Sequence, residues 1–336
     1  LSRPPLFRAG LLKLDREKYL FMMDMHHIIS DGISHEILVK DFAAFYSGGE
    51  PAPIRIQYRD FSQWQNRLFR SGKLEEQTRY WLSRFADRPG SFPEMPLDFP
   101  RPAVRDITAG DHIAFELDKA LYEKCTNLAG EAGTTLFMVL LTAYNILLSI
   151  YTNSEDIVVG TLLTGRSHAD TSDVIGMFVN TLPIRNFPGR NRTFREFLKE
   201  VKENTLNVYE NQDYGFDDLV RHLGLQGDSG RNPLFDTVFT MNAVDSELLV
   251  NRSTFAIEPY EYEAKFAKFD LYFLLTESGG ALSILLRYST QLFKPATIDK
   301  LAKHYTEVVE QVTENINIKL KEVTLSHDFI TAESTA

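Results

Sequence analysis

The stretch "MDMHHIISDGIS", residues 23–34, sets two adjacent histidines, His26 and His27, shortly ahead of an Asp31-Gly32 pair. Before it, "KYLFMMDMH" is mostly apolar, the pattern of a short buried strand. After it, "ISHEILVKDFAAFYSGG" places Ile33, Ile37, Leu38, Phe42 and Phe45 at helical spacing and stops at Gly48-Gly49. The histidines therefore stand at a strand-to-helix junction. Neighbouring residues on an extended segment point to opposite faces, so only one of His26 and His27 can face a given cavity. With a helix starting near Ser30, Asp31 sits at its N-terminus, where a carboxylate caps free N–H groups and meets the positive end of the dipole. A metal site is disfavoured, because the i, i+4 histidine pair and further ligand of a zinc hydrolase are lacking. Residue type and spacing leave a buttressing histidine and a general base equally open.

Length and composition bound what surrounds this junction. A chain of 336 residues predicts one large domain or two packed subdomains. Its 46 acidic against 36 basic residues give a net charge of −10, which argues against a nucleic-acid or anionic-membrane partner. Cys125 is the only cysteine, so an intrachain disulfide is impossible and a reducing cytoplasm is the expected setting. The most apolar run, "LFMVLLTAYNILLSIY" at 136–151, is short for a membrane span and contains Thr142 and Asn145; it predicts a core helix. The opening "LSRPPLFRAG" has neither an initiator Met nor the order of a signal peptide, and is expected to be part of something longer.

Along the chain, helical pattern returns in "FSQWQNRLFRSGKLEEQTRYWLSRF", whereas "RPGSFPEMPLDFPRP" at 88–102 crowds Pro, Gly and Ser and reads as a linker. Beyond it "HIAFEL" predicts a strand, 118–131 and 134–151 helices, and "DIVVGTLL" and "MFVNTLPIRNF" strands. A helix over 193–210 carries Phe194, Phe197, Leu198, Val201 and Val208 on one face; "LFDTVFTM", "DLYFLLTE" and "ALSILLRYS" predict strands. The closing helix presents Ile298, Leu301, Tyr305, Val308, Val309 and Val312. The class is α/β, helices covering sheet faces. Boundaries are expected at 1–87, a linker at 88–111, a larger unit at 112–320 and a tail at 321–336.

"HHIISDG" resembles the HHxxxDG signature of the condensation domains of nonribosomal peptide synthetases. Four later stretches resemble the family's later motifs in the family's order: "YRDFSQWQ" at 58–65, "IGMFVNTLPIR" at 175–185, "NQDYGFDDLV" at 211–220 and "GDSGRNPLFDTVF" at 227–239. The resemblance implies a chloramphenicol-acetyltransferase-like fold of two related subdomains forming a V, with the histidine motif at their junction. In the family that motif lies well over a hundred residues into the domain, so the N-terminal subdomain is expected to be incomplete here. No DFGWG stretch of the plant-type acyltransferases occurs, the histidines are not replaced as in heterocyclisation domains, and "GISHEIL" differs from epimerisation domains.

What the resemblance implies is attack by an acceptor aminoacyl amine on a donor thioester, both substrates being tethered to 4'-phosphopantetheine arms of donor and acceptor carrier domains. An adenylation domain is the implied neighbour, and neither a metal nor a tightly bound cofactor is implied. His27 matches the residue the family places in the tunnel, as base or as partner of the tetrahedral centre. His26 is implied to support the loop, Gly32 to let backbone approach the thioester, and Asp31 to pair with Arg185. Asn180 and Asn242 are candidate tunnel-lining groups. An L-configured donor and acceptor is the expected type. A catalytically incompetent fragment or scaffold, and an ester-forming or coenzyme A-dependent acyltransferase, remain as alternatives.

Overall fold

The computed structural model describes residues 3–87, 93–225, 230–243, 251–252, 255–258, 260 and 265–327. The chain divides into two compact units, entered and left more than once: unit 1 comprises residues 1–75, 163–180 and 245–263, unit 2 the rest. Division at a single Pro-rich linker is thus replaced by an interleaved one. Composition marks where regular backbone stops, which differs from where contacts stop. Residues 88–92 of the expected linker, 227–229 of the last quoted motif and 328–336 of the expected tail lie outside the described residues.

In unit 1, β1 (Phe7–Lys13) and β2 (Tyr19–Met25) form an antiparallel two-stranded ribbon, with Gly10 opposite Met22. "FRAGLLK" lacks clean alternation, and its pattern does not announce β1. The expectation of a buried β2 is also corrected: Tyr19, Phe21 and Met22 are exposed, and Phe21 stacks on Phe42 at 4.8 Å. A strand in a two-stranded ribbon has a partner on one edge and cover on little of either face. A single 3₁₀ turn, His27–Ile29, leads into α1 (Gly32–Tyr46), followed by α2 (Tyr58–Arg70).

Unit 2 is built on a six-stranded sheet. After α3 (Glu75–Phe85) come β3 (Gly110–Leu117), α4 (Lys119–Glu131), α5 (Leu136–Thr152) and β4 (Ile157–Leu163). Then follow β5 (Asn180–Asn186), α6 (Phe194–Glu210), α7 (Phe216–His222) and β6 (Thr237–Ala243). The two-residue strands β7 (Asn251–Arg252) and β8 (Phe255–Ala256), which belong to unit 1, pair with each other. The chain closes with β9 (Leu271–Ser278), β10 (Ala281–Ser289) and α8 (Pro295–Glu314). Strand order is β3-β10-β9-β6-β4-β5; β4, β6 and β9 run parallel, and β10 is antiparallel to β9 and β3. Every helix and strand expected between 112 and 320 is present, with ends shifted by a few residues.

The core of unit 2 is aromatic. Tyr144 of α5 lies 4.5 Å from Phe273 of β9 and 5.1 Å from Phe239 of β6, and Tyr305 of α8 lies 5.5 Å from Phe273. α5 is buried from Met138 through Ser149, and its Thr142 and Asn145 satisfy their polar groups on the Met138 and Leu141 carbonyls of the preceding turn. Among the described residues no single helix is long and apolar enough to cross a membrane. Cys125 is fully buried, and burial pushes its thiol up to about 12, the behaviour of an inert core group.

The described part of the Pro-rich segment is pinned to unit 2. Arg101 donates to Asp270 at 2.6 Å and to Glu94 at 2.8 Å, Arg105 also reaches Asp270, and the Asp98 amide donates to the Leu292 carbonyl. Phe273 touches all three other rings of the core, so Phe273→Ala removes contacts no neighbour can restore. Urea unfolding of this variant is expected to show a loss of about 3–5 kcal/mol.

Candidate active site

The loop ahead of α1 is built by main-chain hydrogen bonding of its own side chains. His26 has extended backbone, and its Nδ1 accepts the Ile28 amide at 3.1 Å, capping the 3₁₀ turn. His27 Nδ1 lies 2.8 Å from the Ser30 carbonyl oxygen. A carbonyl can only accept, so Nδ1 of His27 carries a proton and, in the neutral ring, Nε2 holds the lone pair. The neutral His26 ring has the opposite arrangement, its Nδ1 lone pair being used by Ile28. Both side chains are exposed. The two histidines thus differ in which nitrogen is free to accept, and only His27 offers an acceptor at the far tip of its ring.

Asp31 follows as the N-cap of α1. Its side chain is fully buried, and four donors reach the carboxylate: the Ser34 amide at 2.7 Å, the Ser34 hydroxyl at 2.6 Å, the Phe178 amide at 3.1 Å and Arg166 Nη2 at 3.0 Å. Burial alone raises this carboxyl, but the Ser34 hydroxyl and amide, the Phe178 amide and the Arg166 charge outweigh it and hold it below the ordinary carboxylate range. Arg166, 4% exposed, spends Nη1 on the Thr171 and Val174 carbonyls and lies with its guanidinium 4.1 Å over the Phe178 ring. The Ser34 hydroxyl oxygen also accepts the Gly176 amide, and the Tyr58 hydroxyl donates to the Met177 carbonyl at 2.8 Å. Residues 164–178 are in this way fastened to the start of α1.

One expected pairing is corrected. Asp31 takes Arg166, not Arg185, as its cation. Arg185, 5% exposed on β5, is enclosed in unit 2 by Asp156, which it meets through two hydrogen bonds of 2.9 and 2.8 Å, and by Asp87 at 2.7 Å. With both carboxylates engaged, its guanidinium is already neutralised. Of the residues that fasten this loop, Ser34, Tyr58 and Phe178 stand inside stretches quoted above, whereas Arg166 stands outside all of them. The signal for Arg166 is faint: a glycine directly before it. Gly165 has φ +64°, and a Cβ there would lie 1.9 Å from the Phe178 carbonyl oxygen, so only glycine lets this turn approach.

The remaining expected residues fall as follows. Gly32 opens α1, and a Cβ on it would meet no described atom within 4 Å. Asn180 is the first residue of β5, half-buried, rather than mid-strand. Asn242 is exposed near the end of β6, opposite Thr276.

Removing either member of the buried pair leaves the other charge unpaired, so Asp31→Ala and Arg166→Ala are each expected to cost about 3–5 kcal/mol in urea unfolding. The double variant should lose less than their sum. Because the Asp31 pKa is lowered on folding, its contribution is complete above the unfolded value of about 4 and disappears as pH falls through the depressed folded value. The stability gap between wild type and Asp31→Asn should accordingly be flat above about pH 5 and shrink on acidification below about pH 4.

A family model described as Condensation domain matches residues 1–333. The chain is 45% identical over 324 residues to Tyrocidine synthase 3 of Brevibacillus parabrevis, covering 96% of this chain and 5% of that protein. It is 46% identical over 327 residues to Gramicidin S synthase 2 of Aneurinibacillus migulanus, covering 97% and 7%. The chain thus spans only a small part of the length of these curated relatives. Among solved structures, a holo four-domain nonribosomal peptide synthetase bound to AMP and glycine superposes with a TM-score of 0.84 at 21% identity, over 98% of this chain and 26% of that one. That likeness bears on the fold, which is α/β and chloramphenicol-acetyltransferase-like. With a family model spanning nearly its whole length and relatives at 45–46% identity, the chain belongs to the condensation domains of nonribosomal peptide synthetases.

Proposed function

We propose that this chain forms a peptide bond between a donor acyl or peptidyl thioester and an acceptor aminoacyl thioester. Both are presented on 4'-phosphopantetheine arms of carrier domains, with an adenylation domain in the same assembly, and donor and acceptor are L-configured. The observation that carries this reading is the His27 ring. Its Nδ1 is held by Ser30, which leaves an exposed Nε2 lone pair on a loop anchored by a buried ion pair.

In the reaction the acceptor nitrogen attacks the donor carbonyl carbon, the C–N bond forms and the C–S bond breaks. The nitrogen gives up one proton and the departing sulfur takes it, so the donor arm leaves as a thiol. In this reading His27 Nε2 takes that proton from nitrogen and returns it to sulfur, or the ring holds the tetrahedral centre by a hydrogen bond. An α-amine of pKa near 8 is about a tenth neutral at pH 7, so supplying the free amine is worth only about 1.4 kcal/mol. Holding two tethered substrates in attack geometry is worth roughly 7–11 kcal/mol. Positioning is therefore the larger effect. His26 and the Asp31–Arg166 pair serve as positioning residues, and Asn180 and Asn242 are retained as candidate lining groups. Arg185 belongs to unit 2 packing and has no part in the loop.

Two variants test this. With donor and acceptor carriers loaded, mass spectrometry should find a dipeptidyl thioester, and His27→Ala should lower its rate by about 10²-fold without abolishing it. Acyl transfer to free coenzyme A with no need of a carrier would instead favour the other acyltransferase reading. Gly32→Ala places a methyl group in open space, so its melting temperature should hold or rise slightly. If substrate backbone passes there, turnover of the same variant should fall.

A further inference from the structure

We propose that unit 2 carries a pocket for a substrate's aliphatic ammonium side chain, with Glu277 as its counter-ion. The inference rests on the condensation reading above and names a substrate class for it. A cavity of about 360 Å3 lies where the C-terminal ends of β4, β6 and β9 meet the start of α5 and the end of α6. It could hold about twelve waters at roughly 30 Å3 each, a volume in the range of small-ligand sites. Five apolar or aromatic side chains, among them Leu162 and Met241, and three threonines line it, and Glu277 is the one charged residue among the lining groups.

The position of Glu277 is unusual for a carboxylate. Phe273, Leu275 and Glu277 alternate onto one face of β9, and the first two are fully buried in the aromatic core. Its ladder neighbours are Ala243 and Leu282, and no cation among the described residues pairs with it. One oxygen, Oε1, accepts the Tyr122 hydroxyl, and this bond is the first cause of the rise in the Tyr122 phenol's pKa. A half-buried carboxylate on a largely apolar wall with no cation beside it is a ready counter-charge for an incoming ammonium. Apolar walls suit a methylene stem.

Tyr122 also decides between the two kinds of cation. A guanidinium is best met by a carboxylate offering both oxygens to its planar fork, whereas here one oxygen is already engaged. The remaining oxygen fits the single-point demand of an ammonium. The geometry therefore favours a lysine-like or ornithine-like side chain over an arginine-like one.

The test has two arms. First, n-pentylamine and its neutral isostere 1-pentanol are titrated into the 336-residue protein and followed by NMR. Saturable amine binding should weaken about 10- to 100-fold, relative to the alcohol, in Glu277→Gln. Leu162→Trp, which fills the cavity without touching the charge, should weaken both probes. Absence of saturable amine binding, equal amine binding in Glu277→Gln, or unchanged binding in Leu162→Trp would overturn the pocket. Second, condensation is compared for lysyl and norleucyl groups on each carrier in turn. The lysyl-to-norleucyl ratio of kcat/KM should fall at least about 10-fold in Glu277→Gln for one carrier. An unchanged ratio for both carriers, with condensation proceeding, would overturn the substrate assignment. If neither group condenses while amine binding still depends on Glu277, the peptide-forming reading fails and the ammonium pocket stands.

Discussion

The geometry of the histidine loop hangs on one buried charge. Asp31 and Arg166 are both withdrawn from water, and desolvating such a pair costs several kcal/mol per ion. Coulomb attraction alone seldom offsets that. Here the offset is completed by Ser34 and Phe178 on the carboxylate and by the Thr171 and Val174 carbonyls on the guanidinium. Any other placement of residues 164–178 strands a charge in the interior, so the pair selects one loop conformation. The selection bears on the proposed chemistry. Ser30, the residue before Asp31, supplies the carbonyl that accepts the hydrogen bond from His27 Nδ1. In the proposed reaction Asp31 therefore acts through the backbone, by fixing the segment whose Ser30 carbonyl engages His27 Nδ1.

Unit 2 was legible because its elements are long, periodic and stacked on one aromatic core, so local pattern and tertiary packing agree. In unit 1 they part company. β2 has the apolar run of a buried strand yet sits in a two-stranded ribbon with its Phe21 against Phe42 of α1 and Tyr19 and Met22 exposed, since burial depends on cover that no strand carries in its own sequence. Asp31 as helix cap was readable from spacing, because capping is local. Its cation was not, because the pair spans 135 residues and a buried aspartate states only that some cation is needed. Motif likeness supplied Arg185, which has the right residue type and the right burial. Two carboxylates of its own unit already hold it, and nothing in the linear order of residues reports that prior engagement.

The sheet of unit 2 also gathers chemistry at one end. Parallel strands β4, β6 and β9 all finish where α5 begins, the kind of crevice that open α/β sheets use for ligands. Strand interiors there are filled by Phe239 and Phe273, and the last inward positions change to Met241 and Glu277. That change, to a thioether on β6 and a carboxylate on β9, marks where the aromatic core ends.

The exposed β1–β2 ribbon bears on how the polypeptide behaves at high concentration. Within the described residues each strand is paired on one side only, so each outer edge presents unpaired amides and carbonyls, with Phe7, Leu11, Leu12, Tyr19 and Met22 beside them. Such an edge is a template for further strands from neighbouring molecules. Repulsion from a net charge of −10 opposes that contact, and salt screens the repulsion while leaving the hydrogen-bonding edge intact. Raising ionic strength should therefore drive this chain toward strand-mediated association well before it disturbs either hydrophobic core.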